Sequence, residues 1–181
     1  MKISLIIISC LFFLSSCASI YKLNDSILNK GSRYKEPDSG KIAHVRVFYG
    51  VGKSIYIYPN SLTKKDLSKD KDSGLAFTNV TTMGFMKRKY TPKSLGMPDA
   101  PENANNFGEF KIPADRPIIV QMTYGYNDGQ RYEFCPLKTF KVTFEEHKNY
   151  ALIMNTNSCC TYEFFEYKNN EAIRMSGVEK L

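Results

Sequence analysis

The residues of this chain suited to acid, base or ligand chemistry are few and scattered. Its two histidines are His44, inside an alternating run beside Arg46, and His147, which follows Glu145-Glu146 in a polar stretch. Both are expected at a surface or a strand edge. Glu133 and the Glu145-Glu146 pair are the carboxylates that a glycoside-hydrolysis type of mechanism would use, but adjacent residues on a turn point apart into water. No GxSxG elbow, HExxH helix, phosphate loop or Rossmann glycine pattern occurs. No catalytic residue, metal ligand or cofactor is assigned, and a non-enzymatic protein is expected.

The distinctive chemistry belongs to the five cysteines, first of all Cys17 in Leu14-Ser15-Ser16-Cys17. Before that motif stand Met1-Lys2 and the 12 residues from Ile3 to Leu14. A run of that length suits the apolar core of a secretory signal and is too short to cross a hydrocarbon layer of roughly 30 Å as a helix. Ser15 and Ser16 leave the scissile bond unhindered, and Leu14 offers an apolar side chain to a peptidase pocket. The pattern resembles the lipobox of bacterial lipoproteins. That resemblance implies cleavage after Ser16 and anchoring in the lipid bilayer through an acylated Cys17. Ala18, where an aspartate would favour inner-membrane retention, points to a periplasm-facing outer-membrane address, or to the cell membrane where only one membrane exists.

Removing residues 1–16 from the 181 leaves 165, enough for one domain with a core, and takes the formal charge from +7 to +6. The charge is dispersed. Lys64, Lys65, Lys69 and Lys71 interleave with Asp66, Asp70 and Asp72, and only Lys87-Arg88-Lys89 is a pure basic run, read as a solvated loop. Nucleic acid is not an expected partner of an exported, tethered chain.

Twelve Tyr, twelve Phe and no Trp, with frequent β-branched residues, favour strands. Residues 17–40 read as the lipidated cysteine and a polar tether, and 41–181 as one domain. In the domain, Ala43, Val45, Val47 and Tyr49 alternate with Ile42, His44, Arg46 and Phe48, and Ser54 to Tyr58 follows a glycine-containing loop; the two runs read as a hairpin. Further strands are expected at 75–80, 85–90, 109–112, 117–126, 131–134, 138–144, 150–154 and 160–167. Asn127-Asp128-Gly129 is the best local hairpin signal. This spacing predicts an all-β fold, an antiparallel β-sandwich of about seven to nine short strands. The Thr91–Gly108 loop divides into Ser94–Pro98, with anchors Leu95 and Met97, expected to pack on the sandwich, and Asp99–Asn106, expected to project as a tip. A tyrosine stripe (Tyr124, Tyr126, Tyr132, Tyr162, Tyr167, beside Tyr56 and Tyr58) reads mainly as half-buried sheet filler.

Once Cys10 leaves with the signal and Cys17 carries lipid, Cys135, Cys159 and Cys160 remain in an oxidising compartment. If 138–144, 150–154 and 160–167 form one antiparallel meander, all three thiols gather at one end of one sheet. Cys160 shares the more apolar face with Tyr162 and Phe164, so Cys135–Cys160 is the expected disulfide, with Cys159 as the alternative partner.

Leu95-Gly96-Met97-Pro98, Glu109 to Pro117, Cys135 with Phe140 and Tyr150, and Cys159-Cys160 together resemble a group of bacterial cell-envelope lipoproteins with a lipobox and a small β-sandwich domain. Asp115-Arg116 stands where that group has Gly-Lys. The group has no established activity, so the resemblance implies a compact β domain and an envelope address without active-site residues. The function expected is a membrane-anchored binding or scaffold module that docks an envelope protein or glycan. The alternatives are an envelope hydrolase with an unrecognised carboxylate site and a small-ligand carrier.

Overall fold

Alternating apolar and polar residues set ten strands among the residues that the structure, a computed structural model, describes: 33–48, 52–78, 93–98, 107–127, 130, 132–155, 160–169 and 171–181. Leu14, Ser15, Ser16, Cys17, Cys159, the Lys87-Arg88-Lys89 run, the strand expected at 85–90 and the Asp99–Asn106 tip lie outside the described residues. The strands are β1 (Ile42–Phe48), β2 (Lys53–Tyr58), β3 (Gly74–Thr78), β4 (Phe107–Pro113), β5 (Pro117–Asn127), β6 (Tyr132–Thr143), β7 (Asn149–Asn155), β8 (Thr161–Lys168), β9 (Glu171–Arg174) and β10 (Glu179–Lys180).

One sheet has the order β4-β1-β7-β8-β9 and the other β10-β6-β5-β2-β3. Neighbours run antiparallel except β1 and β7, which are parallel. The two sheets form the expected all-β sandwich. Its core interleaves Val45, Val47, Ile112, Leu152, Met154 and Phe164 from the first sheet with Ile55, Ile57, Val120, Met122, Phe140 and Val142 from the second. Burying side chains of this size contributes about 1.5–3 kcal/mol each before the entropy of ordering them is set against it.

The connections differ from the sequence expectation in three places. β1 and β2 do not form a hairpin, because they lie in different sheets and the chain crosses between them near Gly52. There the chain is fixed by close approach: Gly52 has φ +82°, and a Cβ on it would stand 2.4 Å from the Gly125 carbonyl oxygen. The Gly125 N–H donates to the Gly52 carbonyl at 3.0 Å, which leaves no room for any other residue.

The expected meander is likewise overturned: β6 belongs to the second sheet, whereas β7 and β8 belong to the first. The turn after β6 is held by the β4–β5 turn and by β1 instead of closing a hairpin. The Phe144 carbonyl accepts the Asp115 N–H at 2.7 Å, and His147, at φ +62°, donates its N–H to the Ile42 carbonyl at 3.0 Å. The chain therefore enters β7 alongside β1 and parallel to it.

The third difference concerns 131–134 and 138–144, which are one strand. The β5–β6 register shifts between Met122 and Tyr124, giving β6 one extra residue around Pro136, where the missing N–H costs no ladder bond. The β5–β6 pairing itself is the one anticipated around Asn127-Asp128-Gly129, although Asp128 and Gly129 lie outside the described residues.

The packed unit begins at Tyr34, earlier than the end at residue 40 expected for the tether. Tyr34 is buried, its hydroxyl donates to the Lys111 carbonyl at 2.9 Å, and its N–H donates to the Leu75 carbonyl at 3.3 Å. The Glu36 carboxylate then accepts the Lys111 N–H at 2.9 Å and pairs with Lys93.

Candidate functional site

Direct strand partners share a face of a sheet, so register places side chains in rows. On the outer face of β4–β1–β7 one row reads Lys111, His44, Asn149 and the next Glu109, Arg46, Ala151. The second row is unusual because Arg46 and Glu109 are both charged and fully buried. Arg46 Nη2 lies 2.7 Å and Nε 3.1 Å from Glu109 Oε1. Nη2 also donates to the carbonyls of Met97 and Pro98, each at 3.1 Å. The guanidinium carbon sits 4.9 Å from the Phe107 ring centroid and 5.4 Å from that of Tyr167, so aromatic faces complete its enclosure.

The other Glu109 oxygen is equally engaged. Oε2 accepts the N–H groups of Leu95 and of Met97 (the latter at 3.3 Å) and the Ser94 hydroxyl at 3.2 Å. Below it, the Glu109 N–H donates to the Lys93 carbonyl at 2.9 Å. Burial pushes the Glu109 carboxyl upward, but the hydrogen bonds from Arg46, Leu95 and Met97 outweigh it and hold the group below its ordinary value. The pair therefore straps Ser94–Pro98 across the outside of the sheet. Met97, within the strap, is buried, as expected for the front of the long loop.

Beside the strap lies an open cleft of about 480 Å³. His44, Lys111 and Asn149 line it from the sheet, His147 from the turn before β7, and Leu95 to Pro98 from the strap. The two histidines, far apart in the chain and read separately from sequence, thus share one cleft. His147 is exposed, with Nε2 3.7 Å from a Glu146 carboxylate oxygen.

The carboxylates considered for hydrolysis do not converge. Glu133 is near the start of β6, where it accepts the Tyr124 hydroxyl at 2.7 Å, and Glu145-Glu146 lie past the other end of that strand. Lys148 is pulled upward by Glu145 and Glu166, with which it pairs at 2.7 and 2.9 Å. The tyrosines also separate. Tyr124 and Tyr162 pack in or against the core, Tyr167 flanks Arg46, and the Tyr58 hydroxyl donates to Gln121 at 3.0 Å on the second sheet.

The disulfide joins Cys135 to Cys160, with Cα atoms 5.5 Å apart. It spans the sandwich from β6 to the residue preceding β8, instead of lying at the end of one sheet. Phe140 packs edge-on against Phe164 and at a tilt against Tyr162 across the same gap, with centroids 5.1 and 5.6 Å apart. The Tyr162 hydroxyl donates to the Pro136 carbonyl at 2.7 Å, beside the bridge. Among the described residues no group of three or more His, Cys, Asp or Glu gathers as metal ligands would.

Sequence alone does not single out Arg46 and Glu109. The available signal was a charge within an apolar run, Val45-Arg46-Val47 and Phe107-Gly108-Glu109-Phe110, where alternation alone predicts a solvated side chain. No family model, no curated protein and no solved structure matches the chain.

Proposed function

We propose that this chain is a lipid-anchored protein of the bacterial cell envelope, of the lipoprotein group it resembles. In this reading acylated Cys17 holds it to the outer membrane, facing the periplasm. Its sandwich is a non-enzymatic binding or scaffold module that docks an envelope protein or glycan. The Leu14-Ser15-Ser16-Cys17 motif supports the anchor, and the Cys135–Cys160 disulfide fits an oxidising compartment.

The observation that carries the docking role is the strap locked by Arg46 and Glu109 beside a cleft on an otherwise ordinary sheet face. Withdrawing two charges from water is costly, and a hydrophobic pair of similar volume would serve stability as well or better. What the pair adds is a defined path for Ser94–Pro98, so that the cleft wall is held before any partner arrives and ordering it costs little on binding.

The test is site-specific photo-cross-linking in intact cells, with the probe at His147 beside the cleft and, as a control, at exposed Leu62. A discrete adduct from the His147 position alone is expected. The same adducts from both positions, or adducts only from Leu62, would contradict a docking role for this face.

A further inference from the structure

The row next to the ion pair differs from it in one respect. The Lys111 ammonium, the His44 imidazole and the Asn149 carboxamide stand side by side, half-buried, and make no side-chain hydrogen bond or ion pair among the described residues. Their main chains are not idle, since the Lys111 carbonyl accepts the Tyr34 hydroxyl and the His44 N–H donates to the Lys148 carbonyl. Only the side chains are uncommitted, and all three face the cleft that the strap walls.

Among the described residues, no carboxylate lines the cleft. Glu109, one row away, spends both oxygens on Arg46 and the strap, and Glu146, near His147, lies outside the lining. A half-buried cation without a counter-ion among the described residues, flanked by two polar side chains, has an electrostatic vacancy for one negative charge. Ile42, Leu95 and Met97 give the same cleft an apolar side. Its volume of about 480 Å³ is at the small end for ligand sites, the room needed by one residue or chain end of a larger molecule.

We propose that the cleft binds a carboxylate borne on a compact aliphatic body, with Lys111 pairing the charge, His44 and Asn149 completing the polar contacts, and Ile42, Leu95 and Met97 receiving the apolar part. A single fixed cation balances a monoanion, which favours a carboxylate over a doubly charged phosphate. This rests on the reading of this face as the docking surface and adds the ligand chemistry to it.

The experiment titrates the full mature chain, made soluble by Cys17→Ala, with N-acetyl-leucine, its neutral amide and inorganic phosphate. Nuclear magnetic resonance follows the imidazoles of His44 and His147 and the Lys111 amide. Saturable shifts with N-acetyl-leucine and none with the amide are expected. Lys111→Met should weaken binding by about tenfold, while Lys111→Arg should retain most of it. Thermal melting of both variants controls for folding. Equal shifts with acid and amide, saturation by phosphate alone, or unchanged affinity in Lys111→Met would each overturn the carboxylate assignment. If the cellular cross-link from His147 persists in that case, the docking face stands and only the ligand class falls.

Discussion

Arg46 Nη2 and Glu109 Oε1 stand 2.7 Å apart on the outer face of the β1–β4 pair, with neither side chain exposed to solvent. An outward-facing pair on an uncovered sheet would be hydrated and contribute little. Here the strap closes over it, and the two side chains supply the hydrogen bonds that the strap's own backbone lacks. Sheet, ion pair and strap are therefore one cooperative unit.

Removing one partner should be far more damaging than removing both. Glu109→Gln or Arg46→Met leaves an uncompensated buried charge and should cost about 3–5 kcal/mol, read from urea denaturation. The double variant Arg46→Met, Glu109→Met should recover a large part of that loss. Additive losses would show that the two residues do not act as a pair.

The pH dependence of stability follows from the same contact. Glu109 is held below its ordinary value in the folded state, so its contribution is fully present above the ordinary carboxylate range and is lost as pH falls through the folded value. Asp115 is also lowered, chiefly by the hydrogen bond from Lys41, and contributes in the same sense. The wild-type urea midpoint should fall below about pH 4.5, the ordinary Glu value, and Glu109→Gln should flatten part of that fall without abolishing it. An unchanged slope in Glu109→Gln would count against the ionised, hydrogen-bonded carboxylate.

The disulfide closes a sequence separation of 25 residues and should contribute about 3 kcal/mol in the chain-entropy view. Cys160→Ser should lower the melting temperature and free a thiol at Cys135, whereas Cys159→Ser should do neither. Fragment sequencing of the non-reduced peptide checks the partner directly; a Cys135–Cys159 link would contradict the bridge described.

Gly52→Ala tests the crossover from β1 to β2. A left-handed φ and a Cβ 2.4 Å from a carbonyl oxygen leave no relaxed solution without moving β5. The expected loss is about 2 kcal/mol or more, against about 1 kcal/mol for a Gly40→Ala control, which shares the positive φ but stands in open space. Equal losses at both glycines would mean that close approach contributes nothing.

Anchoring is tested by Cys17→Ala, which should move the protein from the membrane to the soluble fraction. Each buried acyl CH₂ contributes about 0.8 kcal/mol, so loss of the chains removes the whole attachment. Retention in the membrane at unmodified mass would contradict the proposed lipid attachment.

Strand positions are legible in the chain because burial on one face imposes a period of two, as in Ala43, Val45 and Val47. The sheet to which each strand belongs is much less so. Whether β6 turns back to pair with β7 or crosses to face it depends on the bonds Asp115–Phe144 and His147–Ile42, between residues remote in sequence. Cys135 and Cys160 meet under either arrangement, so their pairing is legible although the meander is not formed. The front of the long loop was legible from Leu95 and Met97. Its lock was not, since Arg46 and Glu109 occupy positions that alternation assigns to solvent.

The most direct measurement is amide hydrogen exchange at Leu95 and Met97, whose N–H groups end on Glu109. In the wild-type protein both should be protected to nearly the extent of Val45 within β1. In Glu109→Gln they should exchange markedly faster, while Val120 in the opposite sheet keeps its relative protection under conditions where the variant stays folded. Fast exchange at Leu95 and Met97 in the wild type would contradict a strap held in place by the buried pair.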